Sequence, residues 1–388
     1  MKFLIPLTIF AALATTAAAT DFEPTVNLVV KYNHGLKSEL YNRSAQVAEA
    51  RAANMLSDPE VEGELLFPQG GGKNRWSAGL TQGFDWPGAY RARRRAADAL
   101  AELNSAEYDE MLHDARYETR CALIEIISAG KEAAILRDIS SSMDELLAKY
   151  LLAWEKGETT ILDVNKLRVE AARAKAALNA AEAEEQKLMT ETFIAVPEAE
   201  RPAADSFTEY PLWTLEPYEE YLHEAMTCSH AKIIAAQGKV AEANASVSAA
   251  GRYPSFSLGY RHAFEDGTHF NGFSVGIRLP FYSRRQTSLA SKAGLLAAEN
   301  TARQLENELV AGLKADYIAA KSLAAQMRDM GPAVENADNL RLLRRALDGG
   351  ELSLLDYLRE VNFFREALIE YNTLRRSYLL RIASLSRH

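Results

Sequence analysis

No proline interrupts the chain between Pro87 and Pro197, and that gap constrains the fold more than any other feature. The stretch is rich in Ala, Leu, Glu, Arg and Lys, residues that favour long helices. Met111, Ala115, Cys121, Leu123, Ile126, Ile127, Ala134 and Leu136 keep an apolar stripe at helical spacing. The pattern predicts one helix from Gly88 to Glu155, which at the usual rise per residue reaches about 100 Å. Such a helix needs coiled-coil neighbours to bury its stripe. A second long helix is expected from about Ser283 to Leu347, with Gly331-Pro332 breaking or kinking it. Return helices are expected at Thr160–Ile194 and Ser353–Ile382, and shorter ones at Leu36–Leu56 and Leu215–Ala250.

The chain repeats itself. Val47-Ala48-Glu49-Ala50-Arg51-Ala52 recurs 193 residues on as Val240-Ala241-Glu242-Ala243-Asn244-Ala245. Trp76-Ser77-Ala78-Gly79-Leu80 recurs at an offset of 197 as Phe273-Ser274-Val275-Gly276-Ile277. Gly157-Glu158-Thr159-Thr160-Ile161-Leu162-Asp163 recurs at 193 as Gly350-Glu351-Leu352-Ser353-Leu354-Leu355-Asp356. Three matches in one order argue duplication. The expected organisation is a first repeat over 20–196, a connector over 197–212 and a second repeat over 213–388. Each repeat runs helix, β-hairpin (about 60–85 and 254–280), then a long helix pair joined by a turn near 157 or 350.

The hairpins alternate with a period of two. Trp76, Ala78 and Leu80 alternate with Ser77, Gly79 and Thr81, and Val61, Gly63, Leu65 and Phe67 with Glu62, Glu64 and Leu66. Phe256, Leu258 and Tyr260 alternate with Ser257, Gly259 and Arg261. Phe273, Val275, Ile277 and Leu279 alternate with Ser274, Gly276 and Arg278. A soluble, half-buried hairpin gives the same pattern, but strands of this length also suit a tilted membrane strand with one lipid face and one wet face. Lipid-facing positions are then Trp76, Leu80, Phe256, Leu258, Tyr260, Phe273, Val275 and Ile277. Pro68–Asn74 and Glu265–His269 read as polar, flexible outward loops, and Phe84, Trp86, Phe281 and Tyr282 as an aromatic girdle at the other end.

The start of the chain sets the compartment. Lys2, the apolar run Phe3–Leu13 and the small residues Ala17-Ala18-Ala19 read as a signal peptide over 1–19, with no lipid-anchor cysteine. Beyond it no apolar run is long enough for a spanning helix. The net charge of -9 has both signs interspersed, without the basic stripe of a nucleic-acid binder. Cys121 and Cys228, far apart in sequence, read as buried free thiols rather than a disulfide.

Four strands cannot close a barrel in lipid, so several copies must share one. This plan resembles the outer-membrane efflux (TolC) family over essentially the whole mature chain. The resemblance rests on the duplicated plan, the twin Val-Ala-Glu-Ala and the twin Gly-Glu-x-[Thr/Ser]-[Ile/Leu]-Leu-Asp. It implies a mainly α fold with a small β part. Long antiparallel coiled-coil helices form a periplasmic α-barrel, and two β-hairpins per protomer contribute to a trimeric, 12-stranded transmembrane β-barrel. It also implies a non-enzymatic, cofactor-free homotrimer in the outer membrane of a Gram-negative cell. Such a channel is a passive duct for efflux or type I secretion, fed by a periplasmic adaptor and an inner-membrane pump, in contact with outer-membrane lipid and not with nucleic acid. Drugs, metal ions and polypeptides all remain open as cargo. The competing class is a soluble periplasmic coiled-coil scaffold without a pore.

By the same resemblance, Gly157, Glu158, Thr160, Asp163, Gly350, Glu351, Ser353 and Asp356 form the periplasmic tip that gates the entrance and meets the adaptor. Asp163 and Asp356 also read as N3 partners of Thr160 and Ser353 in capping boxes. Leu347, Leu352 and Arg359 depart from the polar lock and acidic ring of some members. No catalytic motif is present. His223 and His230, seven apart on one expected helix, read as a solvated face rather than a metal site. The Arg91–Arg95 cluster reads either as solvated or as a contact for lipid head groups.

Overall fold

The computed structural model describes residues 22–70, 73–203, 206–280, 284–335 and 339–387. The signal segment 1–19, Gly71, Gly72, Phe281 and Tyr282 lie outside them. The helices are α1 (Phe22–Tyr32), α2 (His34–Ala52), α3 (Pro87–Glu155), α4 (Ile161–Thr192), α5 (Tyr218–Thr227), α6 (Ser229–Ala250), α7 (Arg284–Glu335), α8 (Asn339–Asp348) and α9 (Leu354–Leu385). Strands β1 (Glu60–Leu66), β2 (Arg75–Phe84), β3 (Ser255–Glu265) and β4 (Thr268–Arg278) form one antiparallel sheet in the order β1-β2-β3-β4.

Helix α3 is 69 residues long. Pro87 opens it at the first position, where a missing N–H costs nothing. In the second repeat Pro332 lies inside α7, which ends at Glu335, three residues beyond it. Gly331 before it leaves room for the Tyr371 hydroxyl, which lies 3.0 Å from where a Cβ would stand. The short helix expected at Leu36–Leu56 falls on α2 and is preceded by a further helix, α1, whereas the one expected at Leu215–Ala250 is split in two at Cys228. Cys228 takes ψ -179, which ends α5 and begins α6.

The chain groups into two compact units, and each takes segments from both repeats. One comprises 22–33, 115–215 and 317–387. Its core packs Val26, Leu123, Ile124, Ile126, Ile127, Phe193, Val196, Leu379 and Ala383 with Phe207 and Tyr210. The last two lie in the stretch read as a polar connector. A buried polar group ties this core together. The Tyr210 hydroxyl donates to Asn372 Oδ1 at 2.7 Å, and Asn372 Nδ2 donates to the Ser128 carbonyl at 2.9 Å. Burial pushes the Tyr210 phenol up. A second cluster in the same unit joins Ile139, Met143, Leu146, Leu167 and Ala171 to Leu354, Tyr357, Leu358 and Val361.

The other unit comprises 34–114 and 216–316 and carries the sheet. Here α2 meets α3 through the Arg43–Glu107 ion pair and an Asn104 amide donating to the Arg43 carbonyl at 3.2 Å. Helix α6 meets α3 through the Lys239–Glu102 ion pair. No described helix is long and apolar enough to cross a membrane.

Candidate functional site

Two features stand out, one in each unit. The first is the sheet. Directly opposed residues of an antiparallel pair present their side chains to the same face. Leu65 is opposite Trp76, Leu80 is opposite Tyr260, and Phe84 is opposite Phe256. Phe256, Leu258 and Tyr260 are in turn opposite Ile277, Val275 and Phe273. All eight positions read as lipid-facing therefore share one face. Six of them are exposed large hydrophobics beside Trp76 at 41% and half-buried Phe256, and Phe273 is 83% exposed. At one end of this face Trp86 stacks on Tyr253 at 5.6 Å, near Phe256.

The opposite face carries Glu62, Ser77, Gly79, Thr81, Ser257, Gly259, Arg261, Ser274, Gly276 and Arg278. Its charges pair across strands, Arg75 with Glu265 at 2.7 Å and Arg261 with Glu62 at 3.6 Å. Only β2 and β3 are flanked on both sides, so β1 and β4 each present a free edge among the described strands. The β3–β4 connection is not the flexible loop expected. Asp266 at φ 49 and Gly267 at φ 88 make a two-residue turn, the geometry an Asp-Gly pair favours.

The second feature is the pair of turns in the other unit. Gly157 at φ 77 and Gly350 at φ 74 occupy the left-handed region, where a side chain is strained. Glu158 N–H donates to the Ala153 carbonyl and Gly157 N–H to Trp154, both at 2.9 Å. Glu351 N–H donates to Ala346 at 2.8 Å and Gly350 N–H to Leu347 at 3.1 Å, the same Schellman pattern. The next helices start alike. Asp163 N–H donates to Thr160 Oγ1, and Asp356 N–H to Ser353 Oγ, both at 3.2 Å. The hydroxyls donate back to the Asp carboxylates at 2.7 Å and 2.6 Å. The aspartates thus lean on the cap hydroxyl rather than on the cap N–H of a reciprocal capping box. The Thr160 hydroxyl, helped by Lys166, holds the Asp163 carboxyl below the usual carboxylate range.

The structure brings both turns to one end of the same unit. Lys149 near the end of α3 pairs with Asp348 at the end of α8 at 3.4 Å, and Arg344 reaches the same carboxylate. Sequence reading missed this triad: Arg344 and Asp348 are an i,i+4 pair on α8, but Lys149 joins Asp348 from 199 residues away. Leu347 packs on the cluster around Tyr357, Leu352 is half-buried, and Arg359 pairs with Asp356 at 3.7 Å. Leu162 and Leu355, equivalent in the two repeats, are both exposed and line an open groove between α4 and α9.

The remaining candidates separate. His223 lies on α5 and His230 on α6, beyond the break at Cys228, and His230 faces Glu110 at 3.7 Å. In the Arg91–Arg95 cluster, Arg93 pairs with Asp85, while Arg91, Arg94 and Arg95 are exposed. Cys121 is half-buried and Cys228 buried, both as free thiols.

No family model and no curated protein sequence matches the chain. Solved structures do match. A membrane protein from Pseudomonas aeruginosa superposes with a TM-score of 0.75 at 15% identity, covering 94% of this chain and 92% of that one. The CmeC outer membrane channel of Campylobacter jejuni gives 0.74 at 16% identity, over 94% and 84%. The open state of the MtrE outer membrane channel of Neisseria gonorrhoeae gives 0.73 at 16%, over 95% and 88%. The resemblance to the TolC family thus holds at the level of architecture: this chain has the fold of the outer-membrane channels, long helices and small sheet together.

Proposed function

We propose that the chain is one subunit of a homotrimeric duct in the outer membrane of a Gram-negative cell. The observation that carries this reading is the sheet, with one exposed apolar face, one polar face and two open edges. In hydrocarbon each unpaired backbone group costs roughly several kcal/mol, so such a sheet is viable only when copies join edge to edge. Three copies pool four strands each into one closed barrel, with Trp76, Leu80, Phe256, Leu258, Tyr260, Phe273, Val275 and Ile277 toward lipid and the Ser, Gly, Glu and Arg face toward a wet lumen.

The twin turns form the inner tip, where Gly157, Glu158, Thr160 and Asp163 and their partners Gly350, Glu351, Ser353 and Asp356 surround the entrance. An adaptor protein docks there and an inner-membrane pump supplies the energy, while the duct itself carries out no chemistry. The Asp356–Arg359 pair softens an acidic ring at that entrance, and Lys149, Arg344 and Asp348 supply polar contacts for closure. Membrane fractionation followed by unheated gel electrophoresis tests the assembly. A trimer-sized band from the outer membrane that collapses on boiling is the expected result, and a monomer in the soluble periplasmic fraction would replace this reading with the scaffold.

A further inference from the structure

The outer end of the β3–β4 hairpin carries a side-chain cluster that the duct does not use. The Asp266-Gly267 turn fixes the register so that Phe264 is opposite His269 and His262 is opposite Asn271. His262 and His269 are therefore diagonal neighbours on one face. His262 Nε2 lies 3.2 Å from His269 Nδ1. Two imidazole nitrogens bound to one ion at ordinary metal–nitrogen lengths stand about 2.8–3.4 Å apart, for angles between square-planar and tetrahedral. The pair is thus spaced as a chelate, and the broad χ2 torsion of histidine lets both lone pairs turn toward a shared ion.

The surroundings set the tautomer. Asn271 Oδ1 accepts a hydrogen bond from the Tyr260 hydroxyl at 2.8 Å and lies 2.6 Å from His262 Nδ1. Because an amide oxygen can only accept, His262 Nδ1 carries the hydrogen and donates it to Asn271 Oδ1. This leaves the Nε2 lone pair for a metal, the outer-sphere arrangement that orients metal-ligating histidines. The pair lies on the face of Trp76, Tyr260 and Phe273 but at its turn end, two to four residues from Asp266-Gly267, where in the proposed barrel lipid head groups and water meet. His269 is exposed and His262 half-buried, so water can fill the remaining coordination positions from the turn side. The Trp76 ring lies 5.3 Å from the His262 ring.

We propose that His262 and His269 form a surface chelate for a late first-row divalent cation, Cu2+ most tightly and Ni2+ and Zn2+ less so, as expected for imidazole donors. Binding replaces the His269–His262 hydrogen bond by two metal–nitrogen bonds, with His269 moving its proton to Nε2. No redox change is involved. The site lies within one hairpin and stands whether or not the trimer reading holds.

The test uses untagged, purified protein titrated with CuCl2, followed by calorimetry and tryptophan fluorescence. Wild type should show one ion per chain that is lost in His262→Ala and in His269→Ala, with Asn271→Ala weakening it by about 10–100-fold. Trp76→Phe should remove most of the copper-dependent quenching and leave the stoichiometry unchanged. His269→Asn keeps a polar side chain at this exposed position and serves if the alanine variant folds poorly. Copper binding of equal affinity in the His262→Ala/His269→Ala double variant, or quenching undiminished in Trp76→Phe, would overturn the proposal.

Discussion

Gly157 and Gly350 show how much one backbone conformation decides. Each sits where only glycine is comfortable, and each is followed by a hydroxyl cap. Replacing Gly350 with valine should cost about 1–3 kcal/mol of local stability. Export should suffer more than trimer yield, and transport at full rate would remove the tip from the gating role. Thr160→Ala should cost about 1 kcal/mol in thermal unfolding, with Ser353→Ala similar because the geometry is the same. The acid limb carries a sign. Asp163 titrates lower in the folded chain than unfolded, so its contribution is complete above the unfolded carboxylate range near about pH 4. It is lost as pH falls through the lowered folded value, and Thr160→Ala should flatten that part of a melting-temperature profile. These turns were legible because Gly, Thr or Ser and Asp at fixed spacing have local meaning. Tyr210 and Asn372 were not, since a buried hydrogen bond between residues 162 apart leaves no trace in either neighbourhood.

Elements were legible where periodicity is long and strong. Alternation alone placed Phe256, Leu258 and Tyr260 on one face with Phe273, Val275 and Ile277, and the observed register agrees. Breaks that arise from packing were not legible. Cys228 is neither Gly nor Pro, yet it splits the helix expected at Leu215–Ala250. Pro332 marked the region where the long helix ends, although α7 runs three residues past it. The Asp266-Gly267 pair held the signal for a tight hairpin, and with it the register that brings His262 to His269. At the scale of the strand, Leu258 lies mid-β3 and is 52% exposed. Leu258→Arg should cost about 2–4 kcal/mol at the bilayer midplane. Heat-stable trimer recovered from the outer membrane at the wild-type yield would count against the assigned lipid face.

For the whole molecule, duplication is the deepest regularity, yet each compact unit draws on both repeats. The repeats are thus a pattern of sequence rather than separate bodies. The exposed arginines Arg91, Arg94 and Arg95 open α3 just after Trp86. In the proposed duct they would lie near lipid phosphates at the inner rim. Their triple replacement by glutamine should weaken co-purification of anionic lipid, measured by lipid extraction from the trimer, while leaving the trimer intact. The turn at Asp266-Gly267 bears on how the cell is met by its surroundings. In the proposed duct, with only two residues linking β3 to β4 and 67–74 linking β1 to β2, almost all that an antibody or a phage could grip would be the second of these loops. An epitope tag placed there should label intact cells, whereas one at Asp266-Gly267 should unmake the hairpin; a duct so sparing of its outward surface would leave recognition very little to evolve against.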